Sequence, residues 1–107
     1  MDLAFASKNL RHLCESQSRA RRFFGDRLAN KLKIRLADLE AASNFTELKA
    51  GNPRELPIQP QGQLALDLCD GYVIVVAAVS EWAQTTDAVV VDWNKVVRVK
   101  VLRIDKT

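Results

Sequence analysis

Two β-rich runs flank the dipeptide Asp70–Gly71, and they limit the folds open to this chain. The first run covers residues 63–69, and the second, Tyr72–Ala78, is apolar throughout. An Asp-Gly pair between two such runs is a strong signal for a tight β-hairpin, because its turn needs residues that accept positive φ. A strand that is apolar at every position is expected to be covered on both faces. We therefore predict a hairpin whose second strand is central in a sheet.

The first half of the chain predicts helices. Ser7 is placed to cap a first helix that Gly25 closes, and Asp26 is placed to cap a second. The apolar face of the first helix would carry Leu10, Leu13, Cys14 and Ala20. The second has leucines spaced by four, four and three residues, at Leu28, Leu32, Leu36 and Leu39. Asn44–Glu47 resembles a capping box and predicts a short third helical turn.

Residues 97–104 alternate valines with basic residues, which predicts a last strand with one buried and one basic face, although the alternation slips near Leu102. The other segments are a predicted strand over 2–6, loops over 50–62 and 80–87, and a helical turn over 93–96. Strands and helices are segregated along the chain, which favours an α+β fold. We predict an N-terminal strand and two helices packed on one face of a small antiparallel-rich sheet.

Length and hydropathy indicate a small protein that stays off membranes. The chain has 107 residues, which fits a single domain over 1–107 with one modest core. Its longest apolar run, Tyr72–Val79, has the length of a strand and is too short to cross a bilayer. Asp2 puts an acid where a signal peptide would be basic. We therefore expect a cytoplasmic protein with no membrane partner.

The positive charge is concentrated in the first half. Through Arg54 there are eleven Lys or Arg and six acids (11 − 6 = +5), and the remainder has five and seven (5 − 7 = −2). Most of the excess comes from Arg19, Arg21, Arg22, Arg27, Lys31, Lys33 and Arg35. Such a stripe suits phosphate or an acidic protein partner. A solvated helix face explains it equally well, and both interpretations stay open.

Few residues offer catalytic chemistry. Cys14, Cys69 and His12 have no usual zinc spacing, so we expect reduced thiols, no metal and no cofactor. No phosphate-binding loop, dinucleotide fingerprint or nucleophile elbow is present. Metal-free RNA cleavage needs a base for the 2′-OH, charge stabilisation at phosphorus and a proton for the 5′-oxygen. The candidates near the expected sheet surface are Arg54, Glu55, Arg98, Lys100, Arg103, Asp105 and Lys106.

In several stretches, taken in order, the chain resembles the HigB-like killer branch of the RelE/ParE toxin superfamily. The matching segments are residues 5–15, 31–42 with 47–48, 51–56, 62–68, 71–72 and 92–96. The resemblance implies a RelE-like fold and a small toxin that enters the ribosomal A site and cuts mRNA. It also implies a helix-turn-helix antitoxin, encoded by the adjacent gene, as a partner beside the ribosome and mRNA.

The resemblance also implies where a site would lie. The family's His before the hairpin falls at Arg54, a basic loop residue falls near Pro60, an Arg of the next strand falls at Val73, and the terminal Asp-Tyr-His falls at residues 105–107. Only Asp105 keeps the family's residue type. We predict Arg54, Asp105 and Lys106 as catalytic residues. The predicted RNA contacts are Arg19, Arg21, Arg22, Lys31, Arg35, Arg98, Lys100 and Arg103.

Each feature has a purely structural alternative. Arg54 is as well explained by an ion pair with Glu55 or a nearby acid. The basic face of the last strand is explained by solvent exposure or by protection of an edge strand. Trp82 and Trp93 are expected to close the core rather than stack on bases, and Tyr72 is expected at the core rim.

Three functions remain open at this level. The first is a ribosome-dependent mRNA endoribonuclease that inhibits translation. The second is a catalytically degenerate toxin homologue that binds an antitoxin or the ribosome without cutting. The third is a gyrase poison, which rests on the superfamily's shared fold alone.

Overall fold

The computed structural model describes residues 1–44, 47–57, 62–78 and 96–106. In these residues the chain forms three helices and five strands, so the protein has an α+β fold. The elements are β1 (Asp2–Phe5), α1 (Lys8–Glu15), α2 (Gln17–Phe24), α3 (Asp26–Ala41), β2 (Arg54–Glu55), β3 (Gln63–Asp67), β4 (Tyr72–Ala78) and β5 (Arg98–Lys106). The predictions for residues 80–87, for 93–95 and for the side chains of Pro60, Trp82 and Trp93 lie outside the described residues.

The five strands form one mixed sheet in the order β1-β5-β4-β3-β2. β1 runs parallel to β5, and the other neighbours are antiparallel. The last strand therefore lies between β1 and β4 instead of at an edge. The alternative that its basic residues protect an edge strand is wrong, because both of its sides carry hydrogen-bonded neighbours.

The predicted hairpin is confirmed, and its second strand is central. Asp70 and Gly71 have φ of 55° and 81°, and the Tyr72 amide donates to the Cys69 carbonyl oxygen across 2.9 Å. Two consecutive positive φ values with this hydrogen bond form the tight turn whose twist matches the flanking strands. β3 and β4 then pair from Asp67 opposite Val73 to Gln63 opposite Ala77.

Ser7 caps α1 as predicted, with its side chain accepting a hydrogen bond from the Leu10 amide at 3.1 Å. The prediction of one helix from Ser7 to Gly25 is wrong, because the helix is interrupted at Ser16. Ser16 has extended backbone (φ −110°, ψ 110°), and its side chain accepts from the Arg19 amide at 3.3 Å. A serine hydroxyl competes for backbone donors in this way, so it ends α1 and begins α2.

Helix α3 carries all four predicted leucines into the core. Its N-cap is Gly25, at φ 87°, with no side-chain cap, so the predicted cap by Asp26 is wrong. Asp26 lies in the first turn, where its negative charge interacts favourably with the positive end of the helix dipole. Beyond the helix, the Glu47 carboxylate accepts from the Ser43 amide at 3.0 Å, although residues 45 and 46 of the predicted capping box lie outside the described part.

A short strand interrupts the loop predicted over residues 50–62. Its two residues, Arg54 and Glu55, pair with Ala65 and Leu64 of β3. β2 thereby adds a fifth strand at the edge of the sheet. In the described part of the chain, no helix has the length and apolarity needed to cross a membrane.

The sheet separates two apolar clusters. The larger lies between the sheet and the helices, where Leu32 and Leu39 of α3 meet residues such as Ile74 and Val99. The smaller lies on the opposite face and consists of Ala65, Val73 and Val75, with Leu56 and Leu102 packed against it. We call this opposite face the outer sheet face. Alternation along β3 and β4 sends successive side chains to the two faces.

A β-bulge in β5 changes that alternation. Val76 pairs with Val101, but its neighbour Val75 pairs with Arg103, which leaves Leu102 as the extra residue. An extra residue shifts by one the side chains that follow. Ile104 therefore packs in the helix-side core, opposite Ile74. The bulge explains the slip in the sequence pattern near Leu102.

Candidate functional site on the outer sheet face

The first part of the candidate site is an ion pair between two strands. Arg54 of β2 and Asp67 of β3 approach to 3.0 Å between guanidinium and carboxylate, and the Arg54 guanidinium also donates to the Asn52 carbonyl oxygen at 3.2 Å. The side chains of Arg54 and Asp67 are 40% and 49% exposed. Arg54 pairs with Ala65, which belongs to the outer cluster, so the ion pair lies on the outer sheet face.

The second part is an ion pair within β5. The Nε of Arg103 donates to the Asp105 carboxylate at 2.6 Å. Arg103 pairs with Val75 and Asp105 with Val73, and both valines belong to the outer cluster. Residues two apart on a strand share a face, which accounts for the contact. Without the bulge these two side chains would instead follow Val99 and Val101 into the core.

The strand register brings the two ion pairs onto one surface. Val73 lies opposite Asp67 on one side and Asp105 on the other, so the two carboxylates flank one valine. In the next row, Ala65 and Val75 separate Arg54 from Arg103. Three strand spacings put the Cα atoms of the two arginines about 14 Å apart. The surface therefore has a row of two cations beside a row of two anions over an apolar floor.

Asp67 is held from the other side of the sheet by Arg35 of α3. The Arg35 Nε donates to the Asp67 carbonyl oxygen at 3.0 Å, and its Nη1 bonds the Asp38 carboxylate at 3.0 Å. Arg35 is only 8% exposed. A guanidinium that is buried and hydrogen-bonded in this way has a structural role. Among the predicted RNA contacts, Arg35 is thus engaged in a buried contact between helix and sheet, and its contact with RNA stays a prediction.

Lys106 lies on the opposite face from the other two predicted catalytic residues. It pairs with Tyr72, and its Nζ lies 5.6 Å from the centre of the Tyr72 ring. Tyr72 packs against the helix-side core and contacts Phe24, as expected for a residue at the core rim. The structure therefore brings Arg54 and Asp105 to one face and leaves Lys106 behind the sheet.

The remaining predicted RNA contacts lie on two separate surfaces. On β5, Lys100 is exposed opposite Ala77, and Arg98 lies 3.8 Å from the Asp2 carboxylate. The others are on the helices. They comprise exposed Arg19, Arg21 and Arg22 on α2 and half-buried Lys31 on α3. Arg21 lies 3.9 Å from the Asp26 carboxylate.

Sequence reasoning missed Asp67. It lies in a run in which Leu64, Leu66 and Leu68 alternate with smaller or polar residues, and all three leucines are buried in the helix-side core. That alternation alone places Asp67 on the opposite face of the strand. Its contact with Arg54 could not be found in the same way, because the pairing of β2 with β3 joins residues across a turn-rich loop.

The arrangement offers phosphate binding and proton acceptance, but little acid chemistry. Arg54 and Arg103 can hold a phosphate, and the two aspartates can accept a proton. The chain's one histidine, His12, lies on α1, and its one tyrosine faces the helices. Lys100 and Arg98 are further cations on this face, and Lys100 is the one nearer to Arg103 along β5. Each arginine already has a carboxylate partner, so the four groups carry no net charge.

No model of a known protein family matches the chain, and neither a curated protein nor a solved structure matches it. The relationship to the RelE/ParE superfamily therefore stays a proposal.

Proposed function

We propose that the protein has a RelE-like fold and is the toxin component of a bacterial toxin–antitoxin system, acting as a ribosome-dependent mRNA endoribonuclease. The observation that carries the proposal is the grouping of Arg54, Val73 and Asp105 on the outer sheet face. These are three of the positions at which the resemblance implies a site. They lie on three different strands, so only this strand register brings them together.

The side chains of this face suggest the steps of cleavage. Asp67 or Asp105 accepts the proton of a ribose 2′-OH, and the freed oxygen attacks the adjacent phosphorus. Arg54 and Arg103 stabilise the negative charge that grows on the phosphate oxygens. Lys100 gives a proton to the departing 5′-oxygen, and the products are a 2′,3′-cyclic phosphate and a 5′-hydroxyl. Without histidine or tyrosine on this face, we expect slow cleavage that depends on the ribosome to align the mRNA.

A specific observation favours a second candidate, a toxin homologue that binds an antitoxin or the ribosome without cutting. Both arginines of the outer sheet face are paired within the chain, at 3.0 Å and 2.6 Å. A phosphate must displace Asp67 and Asp105 from these arginines or share the arginines with them, which weakens phosphate binding. The same ion pairs would fix the side-chain positions of a surface that binds a protein partner.

Induced expression in a bacterial host, with and without the adjacent open reading frame, separates the two candidates. The first predicts growth arrest and new mRNA 5′-ends, both relieved by the neighbouring gene product. Purified protein should then cut mRNA in the presence of ribosomes. The second predicts a complex that co-purifies with the neighbouring product while mRNA stays intact. Soluble protein with neither effect would contradict both.

Three substitutions test the outer sheet face directly. Arg54→Ala should lower the rate of ribosome-dependent cleavage by about 10²-fold or more, because it removes a charge-stabilising group. Of Asp67→Asn and Asp105→Asn, the variant that removes the proton acceptor should show a loss of the same size, and the comparison identifies which aspartate accepts the proton. Lys33→Ala is the matched control, since Lys33 is an exposed cation on α3, behind the sheet. Equal cleavage by all four variants would place the reaction elsewhere on the molecule.

A further inference from the structure

Helix α2 presents an aromatic side chain to solvent beside two cations. Arg19, Arg22 and Phe23 occupy positions i, i+3 and i+4, which share one face of a helix. The opposite side of the helix is anchored, because Ala20 is 3% exposed and Phe24 packs against the helix-side core. Phe23 is 73% exposed. We call the face formed by Arg19, Arg22 and Phe23 the α2 face.

The exposed ring of Phe23 packs on one side against a second aromatic ring. It meets the ring of Phe24 edge to face, with centroids 4.9 Å apart and an interplanar angle of 79°. Phe24 in turn contacts Tyr72 at 6.4 Å between centroids. One side of Phe23 is therefore held by a ring anchored in the core, which restricts the motion of an otherwise exposed side chain.

Arg19 and Arg22 differ from the other arginines of the chain. Within the described residues, each of the others has a carboxylate within 4.0 Å; these are Arg11, Arg21, Arg27, Arg35, Arg54, Arg98 and Arg103. No such partner lies beside Arg19 or Arg22 in that part of the chain. Two like charges at this helical spacing repel each other. A bound anion would relieve that repulsion.

From these observations we infer that the α2 face is a binding site for single-stranded RNA, on which Phe23 stacks a base and Arg19 and Arg22 hold the flanking phosphates. The inference rests on the proposed RNA-directed function and adds a site away from the outer sheet face. Exposed aromatic rings with nearby cations bind unpaired bases in this manner. The Cβ atoms of residues three apart on a helix lie about 5–6 Å apart, so the two guanidinium groups can reach phosphates of the same strand.

An acidic protein partner is the competing occupant, and the apolar surface favours RNA over it. Protein interfaces centre on a contiguous apolar patch. In the described residues, the other large apolar side chains that are exposed are Ile34 on α3 and Val97 before β5. Ile34 lies one turn beyond Asn30, whose side chain bonds Gln17 at the end of α2 opposite Phe23. The Val97 carbonyl oxygen accepts from the Asp2 amide beside the edge strand of the sheet. The α2 face therefore offers one ring among charges.

Fluorescence anisotropy with the full chain and labelled single-stranded RNA dodecamers tests the inference. Phe23→Ala should weaken RNA binding by about 5- to 150-fold, and Phe23→Tyr should retain it, because a tyrosine ring still stacks. Arg22→Gln should weaken binding and reduce the slope of log affinity against log salt by about 0.7. Lys33→Gln, which removes one exposed charge from the neighbouring helix, is the matched control and should have a smaller effect.

Three results would overturn the inference. The first is absence of RNA binding by the unaltered protein, and the second is unchanged binding by Phe23→Ala in a variant that keeps its urea midpoint. The third is equal Phe23 dependence for a labelled polyglutamate dodecamer, which would indicate an acidic protein as the occupant. Failure of the proposed nuclease function can be distinguished from failure of this inference. If only the nuclease function fails, the protein binds RNA through Phe23 while mRNA stays intact in the presence of ribosomes.

Discussion

The guanidinium of Arg35, on α3, donates a hydrogen bond to the backbone carbonyl oxygen of Asp67, at the end of β3, across 3.0 Å. The same guanidinium bonds the Asp38 carboxylate, and the Asp67 amide donates to the Gly51 carbonyl oxygen at 2.6 Å. One buried cation thus joins the helix layer to the strand residue whose side chain pairs with Arg54 on the other face. The candidate site is therefore coupled to the core.

Arg35→Ala should lower the free energy of unfolding by about 2–4 kcal/mol, because it leaves a part-buried carbonyl oxygen and a half-buried carboxylate without their charged partner. Urea denaturation followed by circular dichroism measures the change. Lys33→Ala, on the same helix but exposed, should change stability by less than about 0.5 kcal/mol. Equal losses in the two variants would show that the Arg35 contacts contribute little.

Gly51→Ala should also destabilise the protein, for two separable reasons. Gly51 has φ of +85°, and a Cβ there would lie 2.8 Å from the Arg35 Nε. Gly25 has a similar φ of +87°, but a Cβ added to it would meet no atom within 4 Å, so Gly25→Ala carries backbone strain alone. In a double-mutant cycle, Arg35→Ala should therefore relieve part of the cost of Gly51→Ala and none of the cost of Gly25→Ala. Strict additivity at both glycines would contradict the predicted clash.

Deleting Leu102 should leave the fold intact. The bulge makes Leu102 an extra residue, so its removal lets Arg103 pair with Val75 in a regular strand and keeps Arg103 and Asp105 facing outward. The expected cost is about 1–3 kcal/mol, from lost packing in the outer cluster.

Deleting Lys100 is the matched comparison for the deletion of Leu102. Lys100 pairs in register with both Ala4 and Ala77, so its loss would turn either Val99 or Val101 out of the core. We expect little soluble folded protein from this deletion, measured by yield and by the urea midpoint. A less stable protein from the Leu102 deletion than from the Lys100 deletion would refute the register.

Cys14 should alkylate slowly in the native protein. Its burial, and secondarily the negative charge of Glu15, raises the pKa of the thiol from 9.0 to about 11. The reactive thiolate is then about 100-fold scarcer at pH 8 than in the unfolded chain. The rate of iodoacetamide labelling, followed by peptide mass spectrometry, should keep rising until about pH 11 in the native protein.

The same thiol in concentrated urea is the control, and its labelling rate should level off near pH 9. Glu15→Gln should speed native labelling only modestly, because burial is the larger cause of the raised pKa. Because the pKa of Cys14 is raised by folding, the protein should also lose stability as pH rises above 9. Above that pH the unfolded chain releases the thiol proton while the folded chain keeps it. Identical pH profiles in the native and unfolded states would contradict the raised pKa.

Several elements could be predicted because their signals are local. The Asp70–Gly71 turn, the Ser7 cap and the leucines of α3 all depend on residues close in sequence, and the structure confirms each one. The break at Ser16 is also local, but a serine hydroxyl fits a helix surface as well as a cap. The pattern there could not decide between one helix and two.

The site itself could be predicted only in part. The sequence indicates Arg54 and Asp105, and they do lie on one face, but the pairing of Arg54 with Asp67 depends on the contact between β2 and β3. Arg103 and Asp105 are two apart on one strand, and only the bulge at Leu102 decides that both face outward. Arg35 belongs by pattern to a basic stripe, yet packing buries it under the end of β3. Lys106 follows Asp105 directly and therefore points to the other side of the sheet.

The sequence by itself determined α3, the hairpin and the segregation of strands from helices, because these follow from side-chain periodicity and turn chemistry within a few residues. Tertiary structure alone decided which charged side chains share a surface. A single extra residue, Leu102, turns Arg103 and Asp105 from the core to the outer sheet face. The physical reason is that the face of a strand residue depends on its register with distant strands, which are paired only in the folded chain.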